Sequence, residues 1–305
     1  MPFPFRHSRA RARRFLSLGS SAVLVAILLA AAASPVSAAS NRRVWQAQLA
    51  LNGATGTATL KAYWAGNGAL ELSLVGLQPS ATSPVVVYRG TCAAPIVIAR
   101  LPGAVADAAG ATSTTAAVST TVMNAVWEYA RTRAVAIKIG TGSLALCGAL
   151  RFAVATRITI PRLSVDLPIV KGPIGYPLCN VAMYLQDLSQ PGEAGVTFTY
   201  AHARKGMFLP LLERSKINNG ASLLGMTVKV WTSDNLVTTY QIIKVRRHVT
   251  SMGNVFDIQT QQLWLQTSEG PSGTVGKLIV VAKRIGVEAA TLEAAHPVPH
   301  PVVCK

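Results

Sequence analysis

Three side chains in the second half of the chain carry groups suited to nucleophilic chemistry. Ser268 ends the run Leu265-Gln266-Thr267-Ser268, and nine residues later Lys277 opens the apolar run Lys277-Leu278-Ile279-Val280-Val281. His202 directly follows Phe198-Thr199-Tyr200-Ala201. A serine hydroxyl is not appreciably ionised near neutrality, so it attacks a carbonyl only when an adjacent base takes its proton. An imidazole can be that base when a third group orients it and donors await the oxyanion. Asp166, Asp187 and Asp234 are the candidate orienting acids. Glu269, next to Ser268, brings a negative charge close to where the oxyanion would form, which opposes acyl transfer unless the strand turns it away. Each residue also has a plain reading. Thr267-Ser268-Glu269-Gly270-Pro271 is a strand-to-loop exit, and a lone histidine beside a buried strand is commonly structural.

The ends of the chain suggest where such chemistry would take place. Arg6, Arg9, Arg11, Arg13 and Arg14 precede an apolar run from Ala22 to Ala33, and Val36-Ser37-Ala38 supplies small residues at cleavage positions. This is the layout of a secretory signal peptide over residues 1–38. The run is short for a membrane span of about 20 residues, so an uncleaved anchor would need a tilted helix reaching back to Phe15. No later stretch is long and apolar enough to cross a bilayer. The expectation is a protein secreted or at the cell surface, free or held by its N-terminus, with no integral span in the mature chain.

Loss of that segment lowers the formal charge from +17 by its five arginines to +12, divided evenly between residues 39–155 and 156–305. Scattered positive charge suits work near an anionic cell wall or membrane surface. Export and the absence of a basic stripe speak against nucleic acid; Lys244-Val245-Arg246-Arg247-His248 is the one cluster, and such a run commonly guards a strand edge. Four cysteines, Cys92, Cys147, Cys179 and Cys304, favour disulfides outside the cytosol. Cys92–Cys147 with Cys179–Cys304 is the preferred pairing of the three possible. None has metal-ligand spacing, and neither a metal nor a cofactor is expected.

Two β domains would position these residues. Residues 39–155 show short runs at Val44–Leu51, Thr57–Trp64, Leu70–Val75, Val85–Tyr88 and Ile96–Arg100, punctuated by glycine turns. This pattern predicts an antiparallel sandwich. Residues 103–121, nearly all Ala, Ser, Thr and Gly, read as a mobile loop, with strands resuming at Arg133–Ile139 and Ser143–Ala155. Gly56-x-Ala58-x-Leu60, Leu70-x-Leu72, Gly76-Leu77-x-Pro79 and Gly90-x-Cys92 bear a weak resemblance to the chordin-type domain of bacterial secreted proteins. That family's histidines are replaced by Val85-Val86-Val87-Tyr88, so no metal-binding role carries over, and a structural or surface-binding module is the reading.

Residues 156–286 carry a more extensive resemblance. Ile158-Thr159-Ile160-Pro161-Arg162-Leu163-Ser164-Val165-Asp166-Leu167-Pro168-Ile169-Val170, then Phe198 to Arg204, then the hairpin Val228–Trp231, Ser233-Asp234-Asn235 and Val237–Val245, then Leu263 to Ser268 and Lys277 to Ala282, are similar in kind and order to the sortases, surface transpeptidases. The resemblance implies an all-β chain in which the sandwich is followed by a closed barrel of about eight strands. Short helices such as Pro210–Lys216 would be inserted, and residues 287–305 would form a C-terminal tail. It also implies a threonyl or similar peptide carbonyl attacked by a thiolate, a histidine that protonates the leaving amine, and a cation on the oxyanion. Carried over by position, these roles fall on Ser268, His202 and Lys277. Serine stands where the family has cysteine and lysine where it usually has arginine. Lysine keeps the charge but loses the rigid planar fork, and a hydroxyl lacks the partial ionisation of a thiol. The expectation is a degenerate site whose groove binds an extended peptide or cell-wall component; the alternatives are an active serine-variant peptidase or transpeptidase, and a structural envelope protein.

Overall fold

Alternation of buried and exposed residues sets up the first half of the computed structural model, which describes residues 41–132, 134–172, 177–270 and 276–304. The expected signal segment, residues 1–38, lies outside the described residues. In β1 (Asn41–Leu51) Trp45, Ala47 and Leu49 point inward while Gln46 and Gln48 are exposed, the period of two a half-buried strand requires. It is followed by β2 (Ala54–Tyr63), β3 (Gly68–Val75), β4 (Thr82–Arg89), β5 (Ile96–Val105), β6 (Thr112–Val118), α1 (Thr120–Thr132), β7 (Val135–Ile139) and β8 (Leu146–Ala149). Two four-stranded sheets, β1-β2-β3-β6 and β5-β4-β7-β8, result. They enclose one core in which Trp45, Leu60, Leu70, Val87 and Ile137 meet.

Residues 103–121 are not the loop expected from their composition. Residues 103–105 complete β5, and β6 pairs antiparallel with β3 from Gly68 opposite Val118 to Leu74 opposite Thr112. Small residues suffice there because Ala104 and Val118 seal the core edge almost completely. The helix α1 was missed altogether. Met123 and Val126, three apart on one face, insert into the sandwich core. Ser143–Ala155 is likewise broken: Gly142–Leu144 is a turn of 3-10 helix, β8 has four residues, and the chain runs irregularly before β9.

The second half comprises β9 (Ala155–Ile160), β10 (Val165–Lys171), β11 (Ala182–Tyr184), β12 (Val196–Tyr200), α2 (Leu209–Lys216), β13 (Thr227–Thr232), β14 (Leu236–Val249), β15 (Gln262–Ser268), β16 (Lys277–Ala289) and α3 (Leu292–Ala295). Eight strands close in the order β10-β11-β12-β15-β16-β14-β13-β9. The expected hairpin is β13–β14. Asn235 adopts φ 61° at its turn and donates its N–H to Thr232 O at 3.0 Å, a left-handed position that Asn tolerates. Ile158, Val228, Tyr240, Leu263, Leu265, Leu278 and Val280 fill the barrel with Phe208 and Leu211 from the α2 region.

A separate apolar cluster covers the outer face of the central strands. Phe198, Tyr200, Trp264, Ile279 and Val281 pack with Val181 and Met183 and with Val255 from the β14–β15 connection. β12 is thus buried along its entire length. A strand buried on both faces cannot slip by one residue without driving one apolar set into the wrong environment, so the registers of β12, β15 and β16 are firmly fixed.

Both halves belong to one compact unit. Arg43 of β1 joins them: its Nε donates to the Glu193 carboxylate at 3.0 Å and its Nη2 to Leu188 O at 2.8 Å. The Glu193 carboxylate also accepts from Val44 N and Gln190 N, and Ala194 N donates to Asn41 O. The Arg42 guanidinium lies over Trp127, 4.4 Å from the ring centre.

Candidate active site

Ser268 and Lys277 face one another because β15 and β16 run antiparallel with Leu265 opposite Val280 and, at the strand ends, Ser268 opposite Lys277. Directly opposed residues share a face of the sheet. Both alternate in phase with the outer-face residues Trp264 and Ile279, whereas Thr267 and Leu278 are buried. The Lys277 ammonium donates to Ser268 Oγ at 2.8 Å. Gly276 presses against the backbone of His248, which a Cβ there would overlap; this fixes where Lys277 begins its strand.

His202 enters from the neighbouring strand. β12 runs parallel to β15 with Tyr200 opposite Gln266, and the ladder extends one step further as Ala201 N donates to Gln266 O at 3.1 Å. His202 lies two residues beyond the end of β12, and Ser268 ends β15, so both stand at the same end of this parallel pair. The three sequence candidates therefore stand at the same end of three adjacent strands. His202 is 9 % exposed, and its Nε2 lies 2.7 Å from Pro177 O. A carbonyl only accepts, so Nε2 carries the hydrogen and, in the neutral ring, Nδ1 carries the lone pair. Burial holds the imidazole pKa below its usual value; the Pro177 hydrogen bond pulls it up and the Arg204 charge pulls it down again.

The preferred cysteine pairing is present, Cys92–Cys147 and Cys179–Cys304, and the second bridge lies against His202. A ring nitrogen of His202 is within 4.8 Å of both sulfurs, and Arg204 Nη1 is 3.7 Å from Cys179 Sγ. Val302 of the C-terminal segment pairs with Cys179 through backbone hydrogen bonds of 2.8 and 3.3 Å.

The carboxylates singled out from the sequence are engaged away from Ser268 and His202. Glu269 turns away from Ser268: its carboxylate, 3 % exposed, accepts from Arg247 Nε at 3.0 Å and from His248 N at 2.8 Å. The charge that would oppose an oxyanion is thereby partly neutralised. Asp166 is held in a two-pronged pair by Arg157, and Asp234 accepts from Thr232 Oγ1 in the β13–β14 turn. Asp187 lies with Arg42 and Trp64 near the junction of the two halves.

A cavity of about 1050 Å³ opens elsewhere, lined by Trp45, Arg151, Phe152, Glu193, Asp234 and Arg284 among others. It lies between the sandwich and the barrel end opposite Ser268, since Arg284 is beyond the Gln262–Lys283 end of the β15–β16 ladder. Burial pushes the Glu193 carboxyl at its wall up to about 7, opposed by Arg43 and by the N–H groups of Gln190 and Val44. Sequence reasoning passed over Glu193, Arg43, Arg204 and Pro177. The one signal available for Arg204 was its place two residues after His202.

Residues 158–285 match the family model described as the sortase domain. Solved structures similar to the chain include sortase A of Listeria monocytogenes, 19 % identical with a TM-score of 0.38, covering 46 % of this chain and 93 % of that one. Sortase E1 of Streptomyces coelicolor, solved with a tripeptide in its active site, is 18 % identical with a TM-score of 0.36 and covers 45 % and 90 %. Sortase C1 of Streptococcus agalactiae is 21 % identical with a TM-score of 0.35 and covers 43 % and 66 %. No curated protein matches the chain. The family match over residues 158–285 spans the eight-stranded barrel, so the resemblance to a sortase domain is confined to this segment.

Proposed function

We propose that the rim formed by Ser268, Lys277 and His202 binds an extended peptide or a peptide-bearing cell-wall component outside the cytosol, with acyl-transfer chemistry lost at Ser268. Residues 1–38 export the chain or anchor it, and residues 39–155 serve as a surface-binding or structural module. The observation that carries this reading is the 2.8 Å hydrogen bond from Lys277 to Ser268 Oγ. An ammonium that donates to the hydroxyl cannot also take its proton. His202 directs its Nε2 hydrogen to Pro177 O, so only Nδ1 is left as a base. The groove keeps a cation for a peptide carbonyl but has no thiol at this position.

The same contact favours one other reading. A Ser–Lys pair is a working hydrolase arrangement when the amine is neutral, and a lysine becomes neutral near pH 7 only when strongly desolvated or placed beside another cation. Lys277 is only partly buried, which ranks this second. Treating the purified protein with a fluorophosphonate probe and mapping the adduct separates the two. No adduct at Ser268, together with calorimetric binding of threonine-containing peptides that is lost in Ser268→Trp, is expected. Labelling at Ser268 that disappears in Ser268→Ala would establish a serine enzyme. Peptide binding unaffected by Ser268→Trp would remove the groove from the proposal.

A further inference from the structure

We propose that Cys179–Cys304 is a reactive disulfide, opened by the dithiol of a partner oxidoreductase, with Cys179 leaving as a thiolate held by Arg204 and His202. Four observations support this. Arg204 Nη1 is 3.7 Å from Cys179 Sγ, within reach of a charge-assisted hydrogen bond to sulfur. A ring nitrogen of His202 is within 4.8 Å of both sulfurs. Cys179 is 8 % exposed and packs in the barrel core cluster, whereas Cys304 is partly exposed beside Val303 at 79 %. The C-terminal segment also pairs with Cys179 through the Val302 backbone bridge.

Thiol–disulfide exchange is fastest when the attacked sulfur is accessible and the departing thiolate is stabilised. An external thiolate adds to Cys304 Sγ, the Cys179–Cys304 bond breaks, and the electron pair leaves on Cys179. The mixed disulfide on Cys304 is resolved by the partner's second thiol. This oxidises the partner to its own disulfide and returns Cys304 as a thiol. Cys179 is left as a thiolate facing the Arg204 guanidinium and the His202 imidazole. Opening leaves residues 302–304 held to Cys179 by the Val302 backbone hydrogen bonds. None of this depends on whether Ser268 reacts.

The second disulfide provides an internal control. Cys92 is exposed and Cys147 partly so, with Lys138 opposite Cys147 on β7. Accessibility alone would make Cys92–Cys147 open first. The experiment treats the oxidised full-length protein with a limiting dithiol, quenches with an alkylating reagent and maps the modified cysteines. Cys179 and Cys304 are expected first, and Arg204→Gln and His202→Gln are each expected to slow their opening by about tenfold, with Arg204→Lys recovering part of the loss. Opening of Cys92–Cys147 first, or a rate unmoved by both variants, would overturn the proposal. Should those variants fold poorly, Cys304→Ser isolates Cys179 as a single thiol among the charged groups that face it, Arg204 and His202. Its alkylation should show a midpoint below the value of about 8.5 for an ordinary cysteine. A midpoint at or above that value would mean burial outweighs the cation, and the disulfide would be a purely structural clamp.

Discussion

The sandwich and the barrel bury their strands in different ways, and the difference decides where a site can be held accurately. In the sandwich a strand such as β1 has one face inward and one exposed. In the barrel β12 is buried along its whole length, and β15 and β16 send alternate residues into two apolar clusters. One cluster fills the barrel; the other lies beneath the rim that carries Ser268 and Lys277. Double burial fixes register from both sides, so the last residues of these strands inherit positions that the exposed strand ends of the sandwich do not.

The largest effect tests that contrast. Phe198, 2 % exposed, belongs to the outer cluster. Phe198→Ala should cost about 3–5 kcal/mol of stability, as large-to-small changes at buried aromatic positions do. Val97 on β5 of the sandwich is 49 % exposed, and Val97→Ala should stay within about 0.5 kcal/mol. Denaturant unfolding followed by fluorescence measures both. A small loss for Phe198→Ala would mean the outer cluster is loosely packed and does not fix the rim.

Much of this contrast could be read in the sequence, and the exceptions have physical causes. The barrel strands announce themselves as runs of β-branched and aromatic residues ending at Ser268 and beginning at Lys277, and the β13–β14 turn by Ser233-Asp234-Asn235. β6 was invisible because Thr112–Val118 has almost no large apolar residue; it is a strand through its ladder with β3. α1 was hidden by its β-branched and aromatic content, which lowers helix propensity, until Met123 and Val126 dock on the sandwich core. At the site, the turning of Glu269 toward Arg247 depends on register shifts in the β14–β16 ladder between Arg246 and Val249. Sequence spacing does not reveal such shifts. Nor does it show that Pro177 and Cys304, 25 and 102 residues from His202, meet at its ring.

The junction between the halves gives an effect of intermediate size with a definite sign in pH. Burial raises the Glu193 carboxyl from 4.5 to about 7. An acid whose folded pKa lies above its unfolded value holds a proton in the folded state that the unfolded chain has already released. Its contribution to stability is therefore full below about 4.5 and is lost as the pH rises through about 7. Stability measured from pH 4.5 to 7.5 should fall through this window, and Glu193→Gln, which cannot ionise, should flatten the profile. Arg43→Met should cost about 1–3 kcal/mol, less than loss of one partner from a fully ionised buried pair, because Glu193 can retain its proton. A profile unchanged in Glu193→Gln would mean that the donors around the carboxylate outweigh its burial.

The smallest change in structure is Ser268→Cys, which replaces one oxygen by sulfur at a partly exposed strand end and should alter stability by less than about 0.5 kcal/mol. Its effect on reactivity discriminates most directly. A thiol beside the Lys277 ammonium, 2.8 Å from the hydroxyl oxygen it replaces, should be ionised more readily than free cysteine. Glu269, drawn to Arg247 and His248, would not oppose it. The variant should react with a thiosulfonate probe faster than free cysteine and form a thioester with threonine-containing peptides, while Ser268→Ala stays inert. Lys277→Met in the Ser268→Cys background should return the reaction to the rate of free cysteine, because the cation is what distinguishes this position from an ordinary strand end. A thioester formed only in the Cys variant would mean that the barrel rim still orients a peptide carbonyl and lacks only its nucleophile. A thiol no faster than free cysteine, with Lys277 intact, would mean that the hydrogen bond to Ser268 anchors two strand ends and has no part in chemistry. The rim would then be no better suited to catalysis than the strand ends of the sandwich.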